Sequence, residues 1–292
     1  MANLQVFTKM AHQVGGHSTS NTSLKAQNGR ILKPFQSNQR GKRESDFYER
    51  VFSAKETLYD YAGLRIFLPE YYGTIVVPEA ENGQDFVRRR YLVLEDLTWG
   101  RQWPCIMDVK MGTRSYEHNA PIEKIAYEKS KFPLQEKVGL RIQGMKVYQH
   151  TKKGYVEFDK SFGRGIVSLE QLVYAFRCYF PADDTTKKIA LLQTFLHRLG
   201  QIKEWFDEQQ STEFIASSFL FLYDGDMSSA NGSKADIRLI DFAHVTMPVS
   251  PKRDEGLRTG IATLISSFQT LLHEARTKQD CSINCAEAPD AS

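Results

Sequence analysis

In the stretch PCIMDVKMG (104–112) an aspartate, a lysine and a glycine alternate with apolar residues. Side chains at i and i+2 of a strand share a face, so Asp108 and Lys110 are presented to one side while Met107, Val109 and Met111 enter apolar packing. Gly112 removes a side chain where the strand ends, which lets a ligand or another backbone approach. A second carboxylate, Asp241, ends the apolar run of LIDFAH (239–244) and is followed by His244. A carboxylate at the end of a buried strand is poorly solvated, but it is well placed to hold a magnesium ion that bridges nucleotide phosphates. The third element is Lys33 in RILKPF (30–35), whose ammonium could hold α- and β-phosphate oxygens while Glu44, on the following helix, holds the lysine.

Taken singly, each has an ordinary reading: a solvent-facing ion pair, a turn-capping aspartate, a solvated strand lysine. Their order along the chain is more informative. A glycine turn, a strand lysine, a helix glutamate, a linker strand, a DxKxG strand and a late IDF follow the sequence of a two-lobed kinase. The P-loop pattern GxxxxGK[ST], the GxGxxG pattern and the HRDxxxxN catalytic loop of protein kinases are absent.

The bulk properties fit such a protein. At 292 residues, 41% hydrophobic and 25% charged, the chain can bury the core of two unequal lobes. A formal net charge of +3 does not call for nucleic acid, and none is expected as a partner. The opening MANLQVFTKMAHQVGGH lacks a signal-peptide pattern, and no apolar run approaches the roughly 20 residues that span a bilayer. A cytoplasmic and/or nuclear protein without a transmembrane segment is expected, with a monomer as the default. Cys105, Cys178, Cys281 and Cys285 show no CxxC pairing and read as reduced thiols.

The elements that must position the chemistry can be read from periodicity. QVGGHS (13–18) and RILKPF are expected to be two strands across a glycine turn. One helix is expected over 43–62, with Phe47, Val51, Phe52, Leu58, Tyr59 and Ala62 on its packed face. The strand RRRYLVLEDL (88–97) then leads out of a first lobe, 1–98. The second lobe, 99–277, contains a charged helical insertion at about 118–137, too polar for core, then strands GLRIQGMKVYQH and GYVEFD. Ser168 and Gln171 have capping-box spacing before a helix that buries Leu169, Leu172, Val173 and Phe176. A longer helix repeats Ile189, Leu192, Leu196, Leu199, Ile202 and Phe206 at three or four residues. Two strands, EFIASSFLFLYDG and ADIRLIDFAHV, and the helix GIATLISSFQTLLHEA complete the lobe, leaving 278–292 as a tail without structure.

At this point the sequence resembles a known family. PCIMDVKMG fits the PxxxDxKxG signature of the inositol polyphosphate kinases, ASSFLFLYDG is similar to their Ser-Ser-Leu-Leu element, and IDFAH matches their metal-binding element. The likeness extends through HQVGGH, LKPFQSNQRGKRESDFY, LEDLT, GMKVY, FGRGI and DEGLRTGIATLI, nearly the whole chain. Within the family the multikinases are most similar, whereas QVGGHS and KMGTR look more like the inositol hexakisphosphate kinases. Phe219 stands for the first leucine of the Ser-Ser-Leu-Leu element, an exchange expected only to repack the core. Tyr127, Glu128 and Lys160 stand where the multikinases carry amides.

The resemblance implies an α+β, two-lobed fold related to protein kinases, with ATP between a small β-rich lobe and a larger α/β lobe. It implies that adenine meets the backbone around Glu95 and Leu97, that ribose meets Asp108, that Lys33 holds phosphates and that Asp241 ligates Mg2+. Lys110 is then the central catalytic residue, with Asp108 beside it, because its cation faces both the γ-phosphoryl group and the attacking hydroxyl. Gln36, Arg40, Lys110, Lys124, Lys160 and His244 are the implied contacts to the inositol polyphosphate, and a phosphoinositide lipid is a further substrate that some relatives accept. The implied reaction is γ-phosphoryl transfer from ATP to hydroxyls of inositol trisphosphate and tetrakisphosphate. The alternatives are a hexakisphosphate kinase that forms pyrophosphate, and an inactive scaffold that binds inositol phosphate.

Overall fold

The computed structural model describes residues 7–15, 23–37, 39–53, 59–81, 85–181, 184–226 and 234–286. Asn28 and Gly29, at φ 50° and 75°, make a tight turn between β2 (Lys25–Gln27) and β3 (Arg30–Pro34). Asn-Gly accepts the left-handed backbone that a two-residue hairpin turn requires at both positions. With β1 (Thr8–Lys9), β4 (Tyr71–Glu81) and β5 (Asp85–Glu95) these strands form an antiparallel sheet in the order β1-β2-β3-β5-β4. Pro78 lies in β4, an edge strand, where a residue without an N–H is tolerated. Helix α1 (Arg40–Phe52) packs on this sheet, with Tyr48 stacked on Tyr71 at 5.3 Å, and α2 (Tyr59–Arg65) adds buried Tyr61 and Leu64.

Two expectations fail here. The partner of RILKPF is Lys25–Gln27, not QVGGHS; Gly15 lies elsewhere, and residues 16–18 of that motif fall outside the described residues. The helix expected over 43–62 is two helices, because Ser53 turns to extended backbone (ψ 131°). The Arg65 guanidinium stabilises the break by donating to the terminal carbonyls of Val51 and Ser53, at 2.5 and 2.9 Å. Leu58 lies outside the described residues and Ala62 is exposed.

The second sheet is built around β6 (Pro104–Met111), flanked by β7 (Leu140–Gln149) and β10 (Ser218–Asp224), with β8 (Gly154–Phe158) and β11 (Asp236–Ile240) at its edges. All its pairings are antiparallel. Met107, Val109, Met111, Phe219, Phe221, Tyr223, Ile237 and Leu239 are buried on the far face. Phe221 meets Phe195 of α7 (Thr185–Glu208) and Phe268 of α8 (Glu255–Ala286), with ring centroids 5.5 and 5.7 Å apart. Phe219 is fully buried opposite Val109, so the Leu-to-Phe exchange goes into the core as expected. The near face, carrying Asp108 and Lys110, looks towards the first sheet.

The insertion forms α3 (Ile122–Ser130) and α4 (Gln135–Val138). It is not wholly outside the core, since Phe132 and Val138 are buried and tie it down. Asp159 caps α5 (Lys160–Arg164), accepting from the Ser161 and Phe162 N–H groups. The Ser168 hydroxyl caps α6 (Leu169–Arg177) by accepting from the Gln171 backbone N–H at 3.1 Å, while the Gln171 side-chain Oε1 accepts from the Val167 N–H at 2.9 Å. Leu169 is exposed rather than buried, because the first helical residue has no preceding turn to pack on; Ala175 joins Leu172 and Phe176 instead. In α7 the deeply buried set includes Leu191 and Phe195, with Ile189 and Leu196 only partly buried.

A short pair, β9 (Glu213–Phe214) with β12 (Val245–Thr246), closes the loop after β11. The expected unstructured tail is corrected in part: α8 continues to Ala286, and residues 287–292 lie outside the described residues. The chain passes between the sheets at residues 96–103, where Asp224 accepts from the Gln102 and Trp103 N–H groups at 2.8 and 2.9 Å. One apolar cluster runs through both halves, from Phe47 and Leu92 to Met107 and Phe268. Cys105 and Cys178 are free thiols, and no helix among the described residues is long and apolar enough to cross a membrane.

Gly163 sets how closely α5 lies on β7: a Cβ there would stand 2.0 Å from the Ile142 carbonyl oxygen. Gly163→Ala is expected to destabilise the protein by about 2 kcal/mol or more through overpacking, read as a lower urea midpoint at unchanged m-value.

Candidate active site

Lys33 ends the apolar part of β3 and extends towards the second sheet. Its ammonium donates to Glu44 of α1 at 2.6 Å and to Asp241, just past β11, at 2.5 Å. Glu44 is 1% exposed and also accepts from the Phe242 N–H at 3.2 Å, so the expected Lys33–Glu44 pair is present and anchored. Asp241 holds an unusual backbone, φ 69°, and the buried Ser217 hydroxyl pins it by donating to the Asp241 carbonyl at 2.9 Å. Burial opposes ionisation of Asp241, but the adjacent Lys33 charge prevails and holds its carboxyl below the usual range. Burial also works against the Lys33 charge, and its two carboxylates raise its pKa well above the ordinary lysine value. One ammonium between two carboxylates leaves one negative charge in excess, on the partly exposed Asp241.

That excess suits a hard divalent cation. Among the described residues no three His, Cys, Asp or Glu side chains cluster as a metal site, which fits Mg2+, an ion that takes one or two carboxylates and keeps waters or phosphate oxygens for the rest. Beside the triad lies a cavity of about 470 Å³ with apolar walls from Ile31, Leu94, Ile106, Leu220 and Ile240. Glu95 and Leu97, the expected adenine contacts, line it. The Leu97 carbonyl already accepts from the Arg101 guanidinium, which leaves its N–H to offer to a base.

Asp108 and Lys110 share the near face of β6, as the alternation requires. Asp108 is 6% exposed, and its Oδ1 has no hydrogen-bond partner among the described residues. Burial, reinforced by the Asp241 charge, pushes its pKa up to about 7 despite a hydrogen bond from Ser218. Burial pulls the Lys110 ammonium below its usual range against the attraction of Asp241 and Asp108, and it donates to the Ala216 carbonyl at 3.3 Å. The two serines of ASSFLFLYDG thus serve the two aspartates. Gly15, at φ 68°, comes over Asp108 so closely that a Cβ would stand 2.4 Å from Oδ2. Met10, His12, Gln13 and Val14 wall the cavity on that side, held where Lys146 donates to the Ala11 carbonyl and the Gln13 side chain accepts from the Leu24 N–H.

The expected acceptor contacts are less concentrated. Gln36 and Arg40 line the cavity rim, with Arg40 bonded to Ser37. Lys160 opens α5 near Asp108, its ammonium shifted down by burial. Lys124 is exposed on α3, one turn before Glu128. His244 is held through Nδ1 by Glu117 at 2.7 Å, and Glu117 is bound in turn by Arg43 at 2.8 Å. Sequence reading passed over Arg43, Glu117, Lys131, Arg141 and Arg164. Arg141 had a signal: a cation inside the apolar alternation of GLRIQGMKV, in register with Lys110. Of the basic runs, Arg88, Lys152 and Lys153 are exposed and Arg90 lies over Phe35, whereas Arg89, paired with Glu79, lines the cavity.

The raised pKa of Asp108 has a signed consequence. As pH rises from about 4 to about 7 the unfolded chain releases this proton first, so stability present in acid is lost across that window. In magnesium-free buffer, Asp108→Asn is expected to gain about 2 kcal/mol of stability relative to wild type between pH 5 and 8 by urea unfolding. Ser217→Ala is expected to cost about 1 kcal/mol in the same assay by freeing the strained turn at Asp241.

A profile described as inositol polyphosphate kinase matches residues 91–269, more than half the chain. The rat inositol polyphosphate multikinase is 35% identical over 78% of this chain and 56% of its own length. The mouse inositol hexakisphosphate kinase 3 is 36% identical over 54% of this chain and 43% of its own length. The chain therefore spans little more than half of the mammalian multikinases it matches, whereas it covers 97% of the Arabidopsis thaliana multikinase beta at 27% identity. Among solved structures, the inositol phosphate multikinase Ipk2 of S. cerevisiae, in complex with ADP and Mn2+, superposes with a TM-score of 0.66 at 26% identity, covering 84% of this chain and all of that one. With its signature aspartate and lysine on the near face of β6 and its late aspartate bound to the strand lysine, the chain belongs to the inositol polyphosphate kinase family.

Proposed function

We propose that the protein is an ATP- and Mg2+-dependent kinase that transfers a γ-phosphoryl group to hydroxyls of inositol trisphosphate and tetrakisphosphate. The observation that carries this reading is the separation of charge along one cleft. A triad with an excess negative charge, Lys33, Glu44 and Asp241, closes the nucleotide side. Past Asp108 and Lys110, the cations Arg141, Lys160, Arg164 and Lys131 gather around one another on the other side. The first arrangement suits a metal-bound nucleotide and the second a polyanionic acceptor.

The residues divide the work accordingly. Lys33 would hold nonterminal phosphate oxygens and Asp241 would hold the metal, while Glu44 keeps Lys33 in place. Bound Mg2+ would neutralise charge on the phosphates. Asp108, with an unfilled Oδ1, can hydrogen-bond a ribose hydroxyl. Lys110 stands between the two sides and offers one cation to both the migrating phosphoryl group and the attacking oxygen, which is where charge develops. No covalent enzyme intermediate is required, since positioning and neutralisation supply most of the effect.

The test is product analysis with magnesium and labelled ATP, given inositol 1,4,5-trisphosphate or inositol hexakisphosphate in separate reactions. Conversion of the trisphosphate to tetrakis- and pentakisphosphate supports the reading. Pyrophosphate from the hexakisphosphate alone would replace it with the hexakisphosphate-kinase reading, and no transfer to either would leave a binding scaffold. Lys110→Ala and Asp241→Asn are each expected to lower turnover by about a thousandfold or more in folded protein. Retained turnover in either variant contradicts the site assignment.

A further inference from the structure

Arg141 on β7 is 3% exposed, and its Nε and Nη1 have no hydrogen-bond partner among the described residues. Arg101 and Arg198 also leave Nε without a hydrogen-bond partner among the described residues, but their terminal nitrogens donate to the carbonyls of Leu97, Lys234 and Ile66, and other inward guanidiniums are paired. Arg238 is held by Asp236 and Glu95, Arg258 by Asp207 and Glu255, and Arg65 by two carbonyls. A guanidinium stays charged at any relevant pH, so Arg141 cannot relieve its burial by losing a proton. A buried charge without a partner is among the most costly arrangements in a fold and persists where a ligand completes it.

The register says where that ligand would lie. Arg141 pairs directly with Lys110 across the β6–β7 ladder, so the two side chains rise from the same face as near neighbours. The charged groups acting on Arg141 are Glu128 and Asp108, which favour its charge, and Arg164, which opposes it. Neither carboxylate bonds to it. Glu128 is instead tied to Lys131 at 2.6 Å, while its charge reaches both Lys110 and Arg141. Nε and Nη1 of Arg141 are thus left without a bonded carboxylate, and the rigid fork of this guanidinium matches two oxygens of one phosphate group.

We propose that Arg141 is a further acceptor-binding residue, which takes a phosphate group of the substrate beside Lys110, and that Glu128, bound to Lys131, is the neighbouring carboxylate that competes with this phosphate. The inference rests on the proposed kinase reading and narrows its acceptor: the molecule must carry a phosphate next to the reacting group. Glu128 then acts as a selectivity element, competing with the substrate for Lys110, Arg141 and Lys131. The two residues should have opposite effects on acceptor binding, which a merely structural role for either would not produce.

Full-length wild type, Arg141→Met and Glu128→Gln are compared by initial rates with inositol 1,4,5-trisphosphate and 1,3,4,5-tetrakisphosphate, and by equilibrium dialysis of labelled inositol hexakisphosphate, which reads binding without turnover. Arg141→Met is expected to raise acceptor KM by about tenfold and to weaken dialysis binding equally, with ATP KM changed by less than about twofold. Glu128→Gln is expected to lower acceptor KM by about threefold. Unchanged acceptor binding in folded Arg141→Met, or weaker binding in Glu128→Gln, overturns the inference. If Arg141→Met does not fold, the sign of the Glu128→Gln effect decides. If wild type turns over neither acceptor, the proposed reading of a tris- and tetrakisphosphate kinase fails, and dialysis alone decides whether Arg141 binds phosphate.

Discussion

A single ammonium joins the two sheets at the point where chemistry is required. Lys33 comes from the first sheet, Glu44 from the helix packed on it, and Asp241 from the end of a strand in the second sheet. None of the three is comfortable alone: Glu44 is fully buried, Lys33 nearly so, and Asp241 sits on left-handed backbone. Each is tolerable because of the others and because Ser217 and the Phe242 N–H fix the geometry around them. The apolar walls of the adjacent cavity come from strands that this triad holds in apposition, so the nucleotide side of the cleft depends on it.

The rest of the site follows from where charge is left over. On the triad side a carboxylate is in excess, and on the far side cations are. Asp108 lies between them, and its burial keeps it neutral up to about pH 7, which limits repulsion from Asp241. Lys110 is shifted the opposite way by the same burial, so neither group holds its charge as firmly as it would in water. Under the proposed kinase reading, a charged substrate pair entering this cleft brings counter-charges that the free protein lacks. Binding energy can then be directed to the transferred group.

Much of this was legible in the sequence, and the exceptions have physical reasons. The period-2 pattern of PCIMDVKMG fixed which side chains of β6 face the cleft, because the opposite face is fully buried and a shifted register would bury Asp108 and Lys110 in the core. The capping serine of α6 and the Lys33–Glu44 pair were readable for similar local reasons. Residues 43–62 misled because their apolar period continues through a break that Arg65 stabilises from twelve residues beyond Ser53. The hairpin partner of β3 was missed because the Gly-Gly of QVGGHS outweighed the shorter Asn-Gly signal at 28–29. Arg141 was overlooked because a lone arginine in a strand reads as solvated surface, and its register with Lys110 is a tertiary property.

The measurement that bears most directly on the central claim is calorimetric binding of ADP with and without Mn2+, in wild type and in Asp241→Asn. If Asp241 is the group that exchanges Lys33 for a phosphate-bound metal, Mn2+ should tighten ADP binding by about tenfold or more in wild type and by little in the variant. An equal metal effect in both proteins would contradict that exchange and move the metal, and the nucleotide with it, to another part of the cleft.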